Sequence, residues 1–153
     1  MKKSLHVILF FIILFLARLA VHPHCEVPCG IYNDELRFTT ITEHIQTIEK
    51  AMQEITKLSK ESPQNMNQIV RWVMNKEKHA EDIQHIISQY FLTQRIKAPD
   101  SEDKRAAENY IQKLTLCHQI LVYAMKAKQT TDLENVETLQ AVAGQFKKIY
   151  FAK

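Results

Sequence analysis

A chain of 153 residues, 46% of them apolar and 24% charged, is long enough to form one domain with a buried core. It contains only two glycines, which disfavours an all-β fold with its many tight turns. The formal charge of +3 comes from Lys2, Lys3 and Arg18 near the N-terminus, and the remainder of the chain is neutral. A neutral body argues against nucleic acid as a partner.

Residues 1–23 have the character of a leader. Two lysines precede an apolar run from Val7 to Ala17, which is the arrangement of an export signal. A bilayer span needs about 20 apolar residues, whereas this run is shorter and ends at Arg18. We therefore expect a precursor that is exported, or membrane-associated only through the uncleaved leader, and a mature domain over 24–153.

The segment "HCEVPCGIY", residues 24–32, holds two of the three cysteines. If the chain is cut before His24, four groups can surround one metal ion in a plane: the new α-amine, the amide nitrogen and thiolate of Cys25, and the thiolate of Cys29. Planar nitrogen and sulfur ligands favour nickel or copper. The spacing alone leaves a second possibility open, a disulfide between Cys25 and Cys29.

Four amphipathic segments follow, which predicts an all-α chain. Each segment has an apolar stripe that we expect to be buried: Ile41, Ile45, Ile48, Met52 and Ile55 in the first; Ile69, Val73, Ile83, Ile86, Ile87 and Tyr90 in the second; Ala107, Tyr110, Ile111, Leu114, Cys117 and Leu121 in the third; and Leu133, Val136, Leu139, Val142, Phe146 and Ile149 in the fourth. The expected bounds are Asp34 to Ser59 for the first segment, Ser62–Pro63 to about Lys97 for the second, a start at Asp100 or Ser101 for the third, and a start at a Thr131–Glu134 capping box for the fourth. Because the connections are short, neighbouring helices should run antiparallel. The predicted fold is an antiparallel four-helix bundle preceded by an N-terminal metal-binding hook and a hydrophobic leader.

The remaining soft or titratable side chains have plain structural explanations. His44, His79 and His85 lie among polar helix residues, so we expect surface or structural histidines. His79 and His85 are six residues apart and do not share a helix face that suits a zinc pair. Cys117 lies on the apolar stripe of the third helix and is predicted to be a buried thiol.

The segment 24–32 resembles the N-terminal nickel hook of the nickel superoxide dismutase family, whose pattern is His-Cys-x-x-Pro-Cys-Gly-x-Tyr. The matching positions are His24, Cys25, Pro28, Cys29, Gly30 and Tyr32. The resemblance implies a superoxide dismutase with one nickel ion per chain, a four-helix bundle, and a homohexamer. It also implies a maturation peptidase that removes the leader just before His24.

The resemblance also assigns roles to the hook residues. His24 would supply its α-amine and an axial imidazole, and Cys25 and Cys29 would supply the ligands described above. Pro28 would shape the loop through a cis peptide, and Tyr32 would stand over the open face of the metal. Nickel would cycle between Ni(II) and Ni(III) while superoxide is converted to oxygen and hydrogen peroxide.

Support for the axial imidazole is less specific. In the family a carboxylate and an arginine hold this ring. Here Glu43 is a candidate for the carboxylate, and His79 occupies the expected position of the arginine.

Two alternatives to the enzyme remain at this stage. One is an exported helical bundle that binds a partner protein and carries a Cys25–Cys29 disulfide. The other is a nickel or copper carrier without turnover. Many relatives have short polar leaders, so a cytoplasmic location is the alternative to export.

Overall fold

The computed structural model describes residues 28–99 and 103–152. The chain divides into two compact units, 1–31 and 32–153. Within the second unit the described residues form four helices and no strand, which confirms the predicted all-α bundle. The helices are α1 (Asp34–Leu58), α2 (Met66–His85, continued by a π-helix over Ile86–Arg95), α3 (Lys104–Gln129) and α4 (Leu133–Phe151).

Helix α1 begins at Asp34, directly after its N-cap Asn33. The Asn33 side chain accepts a hydrogen bond from the Leu36 N–H at 3.0 Å, which satisfies one of the free amides of the first turn. The predicted apolar stripe is confirmed, since its members are all buried: Ile41, Ile45, Ile48, Met52 and Ile55. The cap therefore fixes the start of the first helix of the bundle.

Helix α2 begins later than predicted. We expected Ser62 to cap it with Pro63 in its first turn, but the structure caps it at Asn65, whose side chain accepts from the Gln68 N–H at 3.2 Å. The exposed Val73 also departs from the predicted stripe. Beyond His85 the backbone widens into a π-helix, which the sequence did not indicate. Its end is marked by the Ile96 N–H, which donates to the Phe91 carbonyl at 2.8 Å.

Helices α3 and α4 are also capped one to three residues later than predicted. Asp103 caps α3 in place of Asp100 or Ser101, and Asp132 caps α4 in place of Thr131, because each Asp carboxylate accepts an amide two residues ahead. Ile111, predicted to be on the core stripe, is exposed. The buried face of α3 instead contains Leu116, Cys117, Ile120, Ala124 and Ala127.

One lysine lies in the interior of the bundle. Lys76 on α2 is 3% exposed, and its Nζ donates to the Ala127 carbonyl at 2.7 Å and also to the Lys128 carbonyl. These carbonyls belong to the last turn of α3, where unpaired C=O groups and the helix dipole favour a cation. Lys76 therefore closes the C-terminal end of α3 from a neighbouring helix.

An aromatic cluster fills the opposite part of the core, near the start of α1. Phe38 lies 4.8 Å from Phe91 and 5.3 Å from Phe146 between ring centroids, and Tyr150 packs against all three rings. This cluster brings the π-helix and the C-terminal turn of α4 against the first turn of α1. Within the described part of the chain, no helix is long and apolar enough to cross a membrane.

Candidate functional site

The last residues of the first unit form a tight turn. The Ile31 N–H donates to the Pro28 carbonyl at 2.6 Å, and Gly30 has φ of 79°. A positive φ at the third position of such a turn favours glycine, because a side chain there would be strained. The turn exposes Cys29 at its second position. His24, Cys25 and the peptide bond that precedes Pro28 lie outside the described residues.

The two described cysteines differ in state. Cys29 is disulfide-bonded, and its partner lies outside the described residues. Cys117 is a free thiol that is fully buried, and burial raises its pKa to about 12. The prediction of a buried core thiol at Cys117 is confirmed. A metal-binding thiolate at Cys29 requires prior reduction of its disulfide.

Tyr32 opens the second unit and is 38% exposed. Its ring meets the edge of Tyr90 with the centroids 5.8 Å apart. The guanidinium carbon of Arg95 lies 4.3 Å from the centroid of the Tyr32 ring, which is within the range of a cation–π contact. The π-helix, which carries both contacting residues, therefore positions this tyrosine.

The carboxylate of Asp34 binds both residues that contact Tyr32, namely Arg95 and Tyr90. Arg95 donates to this carboxylate from Nε at 2.8 Å and from Nη2 at 2.6 Å, and the two bonds form a bidentate ion pair. The same carboxylate accepts the hydroxyls of Tyr90 at 2.6 Å and Tyr150 at 2.8 Å. All four hydrogen bonds stabilise the ionised form of the Asp34 carboxylate. None of the four residues was predicted from the sequence to belong to a site.

The electrostatics of this network follow from its geometry. Burial by itself raises the pKa of Asp34, but the hydrogen bonds from Arg95 and the two tyrosines outweigh burial and hold the pKa at about 2. Burial, and then the bond to the Asp34 carboxylate, raises the pKa values of Tyr90 and Tyr150 to about 12. The carboxylate therefore stays ionised and both hydroxyls stay protonated at neutral pH.

Arg95 and Tyr150 of this network also line a cleft of about 450 Å³. The cleft is bordered by Lys97, Lys113 and the hydroxyl-bearing Tyr110 and Tyr150, and none of the described residues that line it is acidic. The chain is neutral outside its leader, so this cleft is a place where positive charge is locally concentrated. Such a surface attracts small anions over a distance of about a Debye length.

His79 and Glu43, the candidates for support of the axial imidazole, lie in different surroundings. Glu43 is exposed on α1. His79 is half-buried, and its Nδ1 lies 2.6 Å from Nδ1 of His44, with the Asp82 carboxylate close by. Because His24 lies outside the described residues, the support of its ring by Glu43 or His79 remains a prediction.

Comparison with known proteins gave one match. The sequence model of the family "nickel-containing superoxide dismutase" matches residues 19–153. The search of curated proteins and the search of solved structures found no significant match. The matched range includes the hook segment and the whole bundle, so it supports the enzyme rather than the binding protein or the metal carrier.

Proposed function

The chain belongs to the nickel-containing superoxide dismutase family, and from that premise we propose that its reaction is carried out at the hook of His24, Cys25 and Cys29. The family assignment makes the chain an oxidoreductase that uses nickel and acts on superoxide. The finer proposal concerns the ligands, the nickel oxidation states and the part played by Tyr32. The observation that carries it is the match over the hook segment, whose last residue, Tyr32, is positioned by Arg95 and Tyr90.

The donor set suits nickel. Two thiolates and two nitrogens form the strong-field, planar arrangement that nickel accepts, and the Pro28–Ile31 turn leaves Cys29 exposed on the outside of the chain. The fit requires reduced sulfur, so the disulfide at Cys29 must be opened before metal binds. When bound, nickel would supply one-electron chemistry between Ni(II) and Ni(III).

The protein's own residues have two tasks. Two superoxide anions and two protons give one oxygen and one hydrogen peroxide, so the site must admit an anion and deliver protons. Tyr32 would order the anion and its water through its hydroxyl, since contacts with Arg95 and Tyr90 fix its ring. The cleft lined by Arg95, Lys97 and Lys113 would raise the local concentration of the anion.

We also propose that residues 1–23 form a leader that a maturation peptidase removes, which creates the α-amine of His24. Export is the proposed fate of the precursor. A homohexamer is proposed by resemblance, and one feature supports contacts between subunits. Helix α2 exposes an apolar stripe that nothing covers within the described residues, formed by Met66, Val70, Val73 and Met74.

The experiment compares two chains that differ by one residue. One chain begins at His24 and the other at Pro23, and both are reduced before nickel is added. We expect about one nickel per chain and rapid loss of superoxide only in the chain that begins at His24, because the extra residue converts the α-amine into a peptide nitrogen. Equal nickel content and equal activity in the two chains would overturn the proposed ligand set.

A Tyr32→Phe variant of the shorter chain separates the role of Tyr32 from that of the metal ligands. It should retain nickel, because the variant leaves the proposed ligands unchanged, and lose activity. Loss of nickel together with activity would instead assign Tyr32 to the integrity of the hook.

A further inference from the structure

The first two helices bring a second set of metal-binding side chains together, in a different place from the cysteines. His44 lies on α1, and His79 and Asp82 lie one turn apart on the same face of α2. One ligand atom from each of the three residues lies within 4.8 Å of the other two. Among the described residues, this is the one group of three such side chains that meets this criterion.

The contact between the two histidines is unusually direct. Their Nδ1 atoms are 2.6 Å apart and their ring centroids 4.8 Å apart. Two imidazoles can share a single proton in this geometry, with one donating and the other accepting. A small rotation of either ring would move the two Nδ1 atoms apart. Their lone pairs could then bind one metal ion with nitrogen–metal distances of about 2.0–2.1 Å.

The surroundings favour the neutral form of the His44 imidazole, which is the form that a metal requires. Burial, and then the nearby His79, lowers the pKa of His44. Both histidines and Asp82 are half-buried, so solvent can still reach the cluster and fill an open coordination position. A lowered pKa at His44 reduces the proton release that metal binding requires from this ring.

The Asp82 carboxylate can leave its present ion pair and bind a metal with little loss of free energy. Asp82 forms an ion pair with Lys78 on the same helix, and the Lys78 side chain is 66% exposed. Exposed pairs of this kind contribute about 0–1 kcal/mol. A divalent cation would displace the lysine, whose flexible side chain can turn into solvent.

We propose that His44, His79 and Asp82 form a second metal site that binds a divalent transition ion of the Zn²⁺ class and links α1 to α2. Two imidazole nitrogens and one carboxylate oxygen make a set of borderline softness, which suits Zn²⁺ and its neighbours. The remaining position is left to water. None of its residues is a proposed nickel ligand, and His79 is the one member that is also a candidate to support the axial imidazole of His24.

The test uses the full chain with the hook silenced by Cys25→Ser and Cys29→Ser, and Zn²⁺ as the probe. We expect one Zn²⁺ per chain by calorimetry and a rise in the unfolding temperature, since an ion that binds only the folded state stabilises it. His44→Gln, His79→Gln and Asp82→Asn, each added to the silenced chain, should weaken binding by at least about 100-fold, more than is typical for residues that only support a ligand.

The matched control is His118→Gln, which removes an exposed histidine on α3. It should leave Zn²⁺ affinity unchanged, and every variant retains the leader histidines, so their contribution cancels. Co²⁺ gives a readout on the silenced chain itself: we expect the intense visible bands of a four-coordinate ion. No Zn²⁺ binding by the silenced chain, or equal affinity in the His44→Gln and His118→Gln variants, would overturn the proposal.

Discussion

Arg95 lies over the ring of Tyr32, with its guanidinium carbon 4.3 Å from the ring centroid. The same guanidinium binds both oxygens of Asp34. A planar group that is fixed at its edge by a carboxylate presents its face to the tyrosine in one orientation. Tyr32, the last residue of the hook segment, is therefore positioned by a residue 63 positions away in the sequence.

The first prediction concerns Arg95 as a positioning residue. Arg95→Lys keeps the charge but removes the planar face and the bidentate pair, so we expect kcat/KM to fall roughly tenfold with nickel content unchanged. The control is Arg71→Lys at an exposed position of α2, which should change neither quantity. The measurement is superoxide decay by stopped-flow together with metal analysis.

A double variant decides whether Arg95 acts through Tyr32. If it does, Arg95→Lys combined with Tyr32→Phe should lose little more activity than Tyr32→Phe alone, because coupled residues are not additive. Losses that multiply would show that Arg95 acts on the anion independently of the tyrosine.

The second prediction concerns the pH dependence of stability. The pKa of Asp34 is about 2 in the folded chain against an ordinary value of 3.8. A depressed carboxyl pKa stabilises the fold above the unfolded value, and this contribution is lost as the pH falls from 3.8 through about 2. Asp34→Asn should therefore be less stable by about 2 kcal/mol at pH 7, with the gap closing near the low end of that window.

The adjacent residue provides the control for Asp34. Glu35 is 63% exposed and pairs with Lys147 at the surface. Glu35→Gln should change the free energy of unfolding by less than about 1 kcal/mol. Urea unfolding of the three chains at neutral and acidic pH checks both statements, and an Asp34→Asn gap that stays constant with pH would contradict the first.

The sequence predicted some parts of this structure far better than others. The buried stripe of α1 was correct because apolar residues three and four apart must share a helix face. Ile111 was misplaced because the pattern does not fix how far a helix is rotated when its apolar stripe is broad. The cap of α2 was misplaced because Ser62 and Asn65 are both good caps, and only the backbone decides between them.

The sequence likewise predicted one part of the candidate site and missed another. The hook is local, so its motif can be recognised in nine consecutive residues. The Asp34 network joins residues 56, 61 and 116 positions apart, and no local pattern marks such pairs. The meeting of His44 with His79, 35 positions apart, was missed for the same reason. Tyr90 was correctly predicted to be buried. The hydrogen bond from its hydroxyl to Asp34 was not, because it depends on the π-helix that carries Tyr90.

The third prediction concerns Lys76. Its ammonium donates to carbonyls at the end of α3 and is almost fully buried. Lys76→Met fills similar space but leaves those carbonyls unpaired, so we expect a loss of about 2–3 kcal/mol in the free energy of unfolding. Lys78→Met, two residues along the same helix and exposed, should cost less than about 1 kcal/mol. Equal losses in the two variants, measured by urea unfolding, would contradict the capping role.

The fourth prediction concerns the redox state of the sulfur ligands. Cys29 is disulfide-bonded, whereas Cys117 is a free thiol that is buried and has a raised pKa. Iodoacetamide should label Cys29 only after reduction, and Cys117 only after unfolding. Nickel uptake by a chain that begins at His24 should follow the reduction of Cys29, and peptide mass spectrometry of both samples checks this. Full nickel uptake by chains in which mass spectrometry still shows the disulfide at Cys29 would exclude Cys29 as a ligand.

The fifth prediction concerns the positive cleft beside Arg95. Lys97 and Lys113 line it, and neither is a proposed metal ligand, so we expect them to act on the anion through their charge. Lys97→Glu and Lys113→Glu should each lower kcat/KM several-fold at low salt, with the deficit shrinking as the ionic strength approaches about 0.15 M.

Lys60→Glu is the matched control for the cleft lysines. It makes the same change of charge at an exposed position just beyond α1, next to a different cavity that borders Met52 and Leu133. If local charge at the cleft guides superoxide, Lys60→Glu should retain nearly full activity at low salt. An equal loss in all three variants would instead attribute the effect to the net charge of the chain, and a loss at Lys97 and Lys113 that persists at high salt would assign those two lysines to direct contacts with the anion.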